Sequence, residues 1–417
     1  MKLWFTEIGE PLPFETDMRL HRYGMLTQAL AAMGHDVTWW TSTFSHAAKR
    51  HVFGGDRDET FNGVRIRLLH GPGYRKNVSF ARIRHQKHFA ARFIAAAERE
   101  PSPHLLVAPI PTLEAAEMAM RFAKARGVPI VTDIRDEWPE EFVDLAPKPL
   151  RWMARLALTG AFRRLEYVCR SADGIIGMSR RQLDYGLRYS GRQEGPNDGV
   201  FPHGYSTQPV DPVKVREARG WWSGQGVREG AFVACFFGTI GRFFALDAVI
   251  EAARALERRN LDFQFVLCGE GSNLGKYRRQ AAGLRSVIFP GWVGAPQIAA
   301  LMELSAVGLA PYDSGTRMSL PNKPFEYFAG GLPVVSSIEG ELTGVLAEHD
   351  CGVTYQARSP EALVSALTAL YADRSRARDM GRNGRRLLDR EYATEIIFEK
   401  LNGHLTRVAA RGRDPSP

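Results

Sequence analysis

Cysteine is scarce. The 417 residues hold four thiols, Cys169, Cys235, Cys268 and Cys351, with no Cys-x-x-Cys spacing, so a disulfide framework and a zinc ribbon are both set aside. The eleven histidines show no His-Glu-x-x-His pattern, and metal ligation is not expected. No Gly-x-Gly-x-x-Gly follows a strand-like run, which removes the ordinary dinucleotide fingerprint. No Asp-x-Asp pair closes a strand-like run either, and no cofactor is expected. No apolar run approaches the ~18 residues a spanning helix needs. The opening MKLWFTEIGE is too short in apolar residues and too acidic for a secretory signal, so a cytoplasmic protein is expected. Charge is mildly one-sided, 55 Lys and Arg against 46 Asp and Glu, and with no recognised module this predicts no nucleic-acid partner.

What is present is a soluble, core-forming balance, 44% hydrophobic and 24% charged. Short apolar runs alternate with helix-period segments, the rhythm of an α/β protein with parallel sheets. In the first half, strands are predicted at 2–8, 37–41, 105–108, 128–132 and 175–178, with helices at 17–33, 113–126 and 179–188. The texture changes between about 190 and 230: 190–199 is rich in Gly, Pro and polar residues, and VFPHGY at 200–205 reads as a short strand running into a turn, with His203 as a hinge residue. The second half repeats the rhythm, with strands at 232–237, 263–268, 287–289, 307–310 and 333–337. This predicts a Rossmann-like domain over 1–203, a second over 204–385, a terminal helix over 386–410 returning to the first domain, and a disordered tail at 411–417. Ligands in such sheets sit beyond the carboxyl ends of the strands.

The most informative stretch is SLPNKPFEYFAGGLPVV, starting at Ser319. Ser319 reads as an N-cap with Pro321 in the first turn, and Gly330-Gly331 as the stop. The helix start would offer N–H groups at Asn322 and Lys323 and a mobile ammonium, which suit a diphosphate. Glu326 falls on nearly the same face, where a carboxylate can accept from two ribose hydroxyls. The bland alternative is a solvated Lys323–Glu326 pair on a surface helix.

That stretch resembles the donor-site helix of retaining GT-B glycosyltransferases of family 4. RYGMLTQALAAMGHDVTWWTS, DIRDEWPE, VFPHGY, FFGTIG, LCGEGSN and FPGWV agree in order over about residues 1–400. The resemblance implies the GT-B fold, two Rossmann-like domains facing one another across a cleft. It places Glu326 at the second Glu of the family's E-x7-E motif, on the ribose, and the N–H groups of Asn322 and Lys323 at the diphosphate. Gly238 and Thr239 fall at the glycine-rich turn. Gly269, Glu270 and Gly271 line the nucleotide, and Trp292 and Val293 hold the base. Three departures stand out. Met318 replaces the first Glu, Thr239 and Phe244 replace the clamping Arg and Lys, with Arg242 and Lys323 the nearest substitutes, and Pro109 stands near the usual His.

The implied activity is metal-independent, retaining transfer from a nucleoside-diphosphate sugar, UDP-sugar favoured. The acceptor would be a saccharide or a polyprenyl-diphosphate-linked saccharide in surface-polysaccharide synthesis. A non-catalytic nucleotide-sugar-binding partner and a nucleotide-sugar 2-epimerase remain alternatives. Asp133, Arg135 and Asp136, placed after a strand, are candidates to orient or deprotonate an acceptor hydroxyl or to bind an acceptor phosphate. Basic residues concentrate at 75–99 and 148–170. In the second stretch Trp152, Leu156 and Phe162 interleave with Arg151, Arg155, Arg163 and Arg164, a helix pattern suited to peripheral contact with the inner membrane surface or to a core-packed helix with a solvated basic face.

Overall fold

The computed structural model describes residues 1–15, 20–207 and 210–411. The predicted start of the first helix at 17 and all but Arg411 of the predicted tail lie outside the described residues. The chain forms two compact units: Met1–Pro202 joined by Ile397 onward (unit 1), and His203–Ile396 (unit 2).

The main sheet of unit 1 has eight strands among the described residues: β1 (Lys2–Thr6), β2 (Asp36–Ser42), β3 (Arg57–Phe61), β4 (Val64–Leu69), β5 (Leu105–Ile110), β6 (Ile130–Ile134), β7 (Gly174–Gly177) and β8 (Gly199–Val200). Their order across the sheet is β8-β7-β6-β5-β1-β2-β4-β3, parallel except for the edge hairpin β3–β4. That hairpin escapes the apolar-run reading because RDETF is polar and mostly exposed. Its turn, Asn62-Gly63, has positive φ at both residues, as a two-residue hairpin loop requires. Alternate residues of the central strands feed opposite faces. Leu3, Phe5 and Trp39 pack with helix α1 (Arg22–Ala32), whereas Trp4 and Trp40 pack with helix α2 (Phe80–Ala97) and the helix Leu113–Arg126.

The sequence 148–170 does not make one helix. Helix α3 (Glu140–Leu145) precedes it, and the stretch itself divides into a short 3-10 turn, α4 (Arg151–Ala157) and α5 (Thr159–Ser171). The break falls at Leu158, where the backbone leaves helical geometry and the Thr159 hydroxyl donates to the Leu156 carbonyl.

Unit 2 holds six strands, β9 (Phe232–Phe237), β10 (Phe263–Cys268), β11 (Val287–Ile288), β12 (Val307–Ala310), β13 (Val334–Ser336) and β14 (Gly352–Thr354), all parallel in the order β11-β10-β9-β12-β13-β14. FVACFF and FQFVLC are buried along their whole length, as strands covered on both faces must be. The short helix α6 (Lys323–Ala329) lies close to this sheet. A Cβ built on Gly308 of β12 would meet the Tyr327 ring at 2.2 Å, so the helix seats only where that strand lacks a side chain.

The last helix, α7 (Thr394–Arg411), buries Ile397, Phe398, Leu401, Leu405 and Val408 in the unit 1 core with Leu3 and Phe5. Its Asn402 bonds His35 at 2.7 Å. Residues 386–396 go instead with unit 2, and the terminal helix starts later than expected. Leu387 and Leu388 lie in that unit's core, and the Tyr392 ring stacks on Phe325 at 4.5 Å.

Gly308→Ala is expected to destabilise unit 2 by about 1–3 kcal/mol, the usual cost of overpacking. Urea unfolding measures it, and an unchanged midpoint would show that α6 is not seated by this contact.

Candidate functional site

In unit 2 the chain leaves β9 in one direction, to β10 and β11, and returns on its other side to β12. A parallel sheet that reverses in this way opens a crevice beyond the carboxyl ends of its central strands. The loops after β9, β10 and β11 meet there. Gly238 donates to the Cys268 carbonyl at 3.1 Å, Ile240 to the Glu270 carbonyl at 2.9 Å, and Gly269 to the Gly291 carbonyl at 2.7 Å. Gly269 has φ +135°, and a Cβ on it would lie 1.9 Å from the Gly238 carbonyl oxygen. No side chain fits between these loops, which explains the glycine there.

The structure brings the predicted donor residues together at this edge and revises how several are held. Asn322, rather than Ser319, precedes the first helical residue of α6, and its side chain makes no capping bond. The Ser319 hydroxyl bonds Glu341 at 2.8 Å instead. Pro324, not Pro321, occupies the first turn, and Gly330 ends the helix as expected. Lys323 is not the mobile surface cation predicted. It is only 8% exposed, its Nζ donates to the Phe237 carbonyl, and it lies 4.8 Å from the Phe236 ring centroid and 5.4 Å from those of Phe237 and Phe244. The ammonium is thereby fixed at the end of β9, beside Gly238, where a Cβ would come within 2.8 Å of it. Burial pulls its pKa below the ordinary lysine value, opposed chiefly by the Glu326 carboxylate. The solvated i,i+3 pair is therefore excluded for the lysine, and Glu326 is half-buried.

Around them, Thr239, Arg242, Glu270 and Gly271 are exposed, and the Arg242 guanidinium rests on Phe243 at 4.9 Å. Gly291 lies against Glu270, whose Oε1 is 3.2 Å from where a Gly291 Cβ would be. Trp292 is exposed, whereas the Val293 side chain is in the core, leaving only its backbone to face a ligand. Met318, standing where the resemblance expects a carboxylate, is also exposed.

The three residues expected to act on an acceptor are arranged differently, in unit 1. Asp133 lies within β6 and is 1% exposed. It accepts from the Tyr23 hydroxyl at 2.8 Å and from Arg22 Nε at 3.3 Å. It is an internal anchor of α1, not a group open to an acceptor. Arg135 reaches Glu10 at 2.8 Å and Glu7 at 3.5 Å through one terminal nitrogen, so it is engaged with glutamates, while its Nε is buried without a hydrogen bond. Glu10 in turn accepts from the Tyr23 and Gly24 N–H groups at 2.8 and 3.2 Å, closing the start of α1. Only Asp136 of the three is exposed. Glu7, Glu10, Arg22 and Tyr23 were not foreseen. Two acids placed directly after the first apolar strand were the available signal, but Arg135, which pairs with both, lies more than a hundred residues away.

The fold and the crevice are those of a GT-B glycosyltransferase. Residues 231–373 match the family described as "Glycosyl transferases group 1", and residues 21–196 the family described as "Glycosyl transferase 4-like domain". The chain belongs to the group 1, family 4-like glycosyltransferases. Solved structures share the fold along nearly the full length. Sucrose-phosphate synthase from Thermosynechococcus elongatus is 16% identical over 98% of this chain and 99% of its own, with a TM-score of 0.73. Anabaena HepE in complex with UDP and glucose is 16% identical over 98% and 100%, with a TM-score of 0.67. WaaG, a glycosyltransferase involved in lipopolysaccharide biosynthesis, is 16% identical over 97% and 100%, with a TM-score of 0.64. Among curated proteins, none matches the chain in sequence.

A depressed lysine pKa makes stability rise with pH, because the unfolded chain holds a proton that the folded site resists. Relative to Lys323→Met, the native protein should therefore gain stability as pH climbs toward the unfolded lysine value of about 10.4. Paired thermal melts from pH 7 to 10 measure the difference, and a flat difference would mean that the ammonium is not strained by burial.

Proposed function

We propose that the chain is a retaining, metal-independent transferase. It takes a sugar from a nucleoside diphosphate, with UDP-sugars favoured, and passes it to a saccharide or lipid-linked saccharide in surface-polysaccharide synthesis. The observation that carries this reading is the convergence, at one sheet edge, of the Gly238 and Gly269 loops, the fixed Lys323 ammonium and the Glu326 carboxylate. Supporting it, HepE structures contain UDP and UDP-glucose. In this chain Glu326 would accept from the ribose hydroxyls. The loop N–H groups and Lys323 would meet the diphosphate, with Arg242 as a second, exposed cation. Charge develops on the leaving diphosphate as the glycosidic bond breaks, and donors fixed beforehand stabilise it without reorganising. Retention follows the family 4 likeness.

Glu326→Ala should weaken UDP binding by about 10- to 150-fold, the worth of hydrogen bonds to a charged group, and should lower the melting temperature modestly, because the buried Lys323 ammonium loses its nearby carboxylate. Calorimetric titration with UDP, GDP, ADP and TDP provides the comparison; equal affinity in both proteins for each nucleotide would remove the donor assignment. Lys323→Ala should cost stability as well as turnover, because its side chain is packed.

The membrane part of the reading rests on exposed apolar surface. Helix α4 has no buried residue, and Trp152, Met153 and Leu156 are 66%, 51% and 68% exposed, with Leu145 and Leu150 open beside them. At the start of α2, Val78 and Phe80 are also bare. Arg82 of α2 lies over the ring of Trp138, the residue two before α3, which links the two stretches. Cations stand among both sets, complementary to an anionic lipid surface. Among the described residues no helix is long and apolar enough to cross a membrane. The double variant Trp152→Ser, Leu156→Ser should sediment with phosphatidylglycerol vesicles at least several-fold less than the native protein. Equal sedimentation, or native binding to neutral phosphatidylcholine alone, would refute surface docking through this face.

A further inference from the structure

The amino ends of the unit 2 strands, opposite the donor crevice, enclose a second space. Strands β9, β12 and β13 are neighbours in the sheet, and the residues just before them, Ala231, Ala306 and Pro333, border a pocket of about 280 Å³. Every lining residue belongs to unit 2. The volume falls just short of the ~300 Å³ at which pockets for drug-sized ligands begin, so it suits one substituted ring rather than a chain of sugars.

Charged side chains reach this pocket from both faces of the sheet. Helix Arg374–Leu387 supplies Arg374 and Arg378 from the face where Ala377 packs with Phe232. Helices Pro212–Gly224 and Ala295–Leu304 supply Arg219 and Glu303 from the face where Ala218 and Leu301 are buried. Arg219 is engaged with Glu229 at 2.9 Å. The other two guanidinium groups have no carboxylate partner. Half-buried Arg374 donates to the Gly230 carbonyl at 3.0 Å and lies over the Phe232 and Tyr371 rings, 5.5 and 5.1 Å from their centroids. Arg378, one turn on, makes no hydrogen bond or ion pair among the described residues. The acids beside them on the chain are taken: Asp373 accepts from the Arg376 N–H, and Asp379 pairs with Arg382. Like charges at i and i+4 repel, and no ion pair relieves these two. A bound anion would.

The remaining lining suits hydroxyl groups and an apolar face. Glu303 is exposed and has no hydrogen bond or ion pair among the described residues. Ser305 donates to the Leu301 carbonyl at 2.7 Å, which leaves its oxygen free to accept. Leu304, Leu332 and Pro333 add apolar surface. The Glu303 carboxylate repels a bare anion but accepts from hydroxyls, so the pocket favours a molecule that carries charge at one end and hydroxyl groups at the other. Its cationic wall is preformed. Arg385 of the same helix donates to the Ala329 carbonyl at the end of α6 at 2.8 Å, and a Cβ on Gly381 would lie 2.0 Å from the Gly331 carbonyl oxygen. That helix is therefore seated before any ligand arrives, which lowers the cost of binding.

We propose that this pocket binds a phosphomonoester of a sugar or small polyol, with its phosphate on Arg374 and Arg378 and its hydroxyl groups on Glu303 and Ser305. Guanidinium forks match phosphate oxygens in pairs, and a dianion neutralises two of them. The site goes beyond the donor reading and does not rest on it. The donor crevice lies at the carboxyl ends of the same strands, so the two can be filled together.

The test is titration calorimetry of the full chain with glucose 6-phosphate, glucose 1-phosphate, ribose 5-phosphate and glycerol 3-phosphate, beside glucose and inorganic phosphate. At least one ester should bind about tenfold or more tightly than either glucose or inorganic phosphate, and saturating UDP should not displace it. The double variant Arg374→Gln, Arg378→Gln should bind that ester at least about tenfold more weakly, as expected when hydrogen bonds to a charged group are lost, and should keep its UDP affinity. Arg378→Gln alone, at an exposed position, serves the same purpose should the double variant not fold. Glu303→Ala should narrow the preference for the ester over inorganic phosphate by several-fold, a ratio from which the simple loss of a negative charge cancels. No binding of any ester, or inorganic phosphate binding as tightly as all of them, would overturn the site. So would unchanged ester affinity in the arginine variants or an unchanged preference in Glu303→Ala. Displacement of the ester by UDP would place it in the donor crevice and overturn the proposal as well.

Discussion

A parallel sheet buried on both faces can present polar chemistry only at its ends, and this restriction governs both units. Their central strands are apolar on both sides because helices cover both sides. Charged and hydrogen-bonding groups therefore gather where the strands stop. In unit 2 the reversal between β9 and β12 leaves room for the Gly238 and Gly269 loops to approach within hydrogen-bonding distance, and for α6 to point its first turn at them. In unit 1 the equivalent reversal between β1 and β5 leaves room for Glu7, Glu10 and Arg135.

The two ends manage buried charge differently. In unit 2 one ammonium is desolvated and compensated by a carbonyl, three aromatic rings and a nearby carboxylate. Cation–π contacts of this kind contribute about 0.5–2 kcal/mol each, which offsets only part of the desolvation. A cation so placed gains from an arriving anion. In unit 1 carboxyl groups outnumber the cations that reach them, so one of them, Glu7, is held near neutral pH in its uncharged form.

Much of the fold was legible in the residues themselves. Apolar runs such as FVACFF and FQFVLC fall where β9 and β10 are, and Asn322-Lys323 does open a helix that Gly330 closes. Less legible was whatever needed a partner from far along the chain. Asp133 reads as an exposed acid after a strand, yet it is buried because Arg22 and Tyr23, more than a hundred residues earlier, come to meet it. Lys323 reads as a free cation, yet the Phe237 carbonyl, 86 residues away, holds it. The stretch 148–170 has the periodicity of one helix, and only local backbone geometry at Leu158 divides it.

Sequence alone determined the alternation of strand and helix, the separation into two sheets, the glycine loops and the helix that starts at Lys323, because each depends on neighbours within a few residues. Tertiary structure decided which charges are exposed, which are neutral and which are spoken for. It also decided that residues 386–396 complete unit 2 while the helix after them joins unit 1. The physical reason is that desolvation and ion pairing depend on distance in space, and a parallel sheet brings together strand ends that lie far apart along the chain.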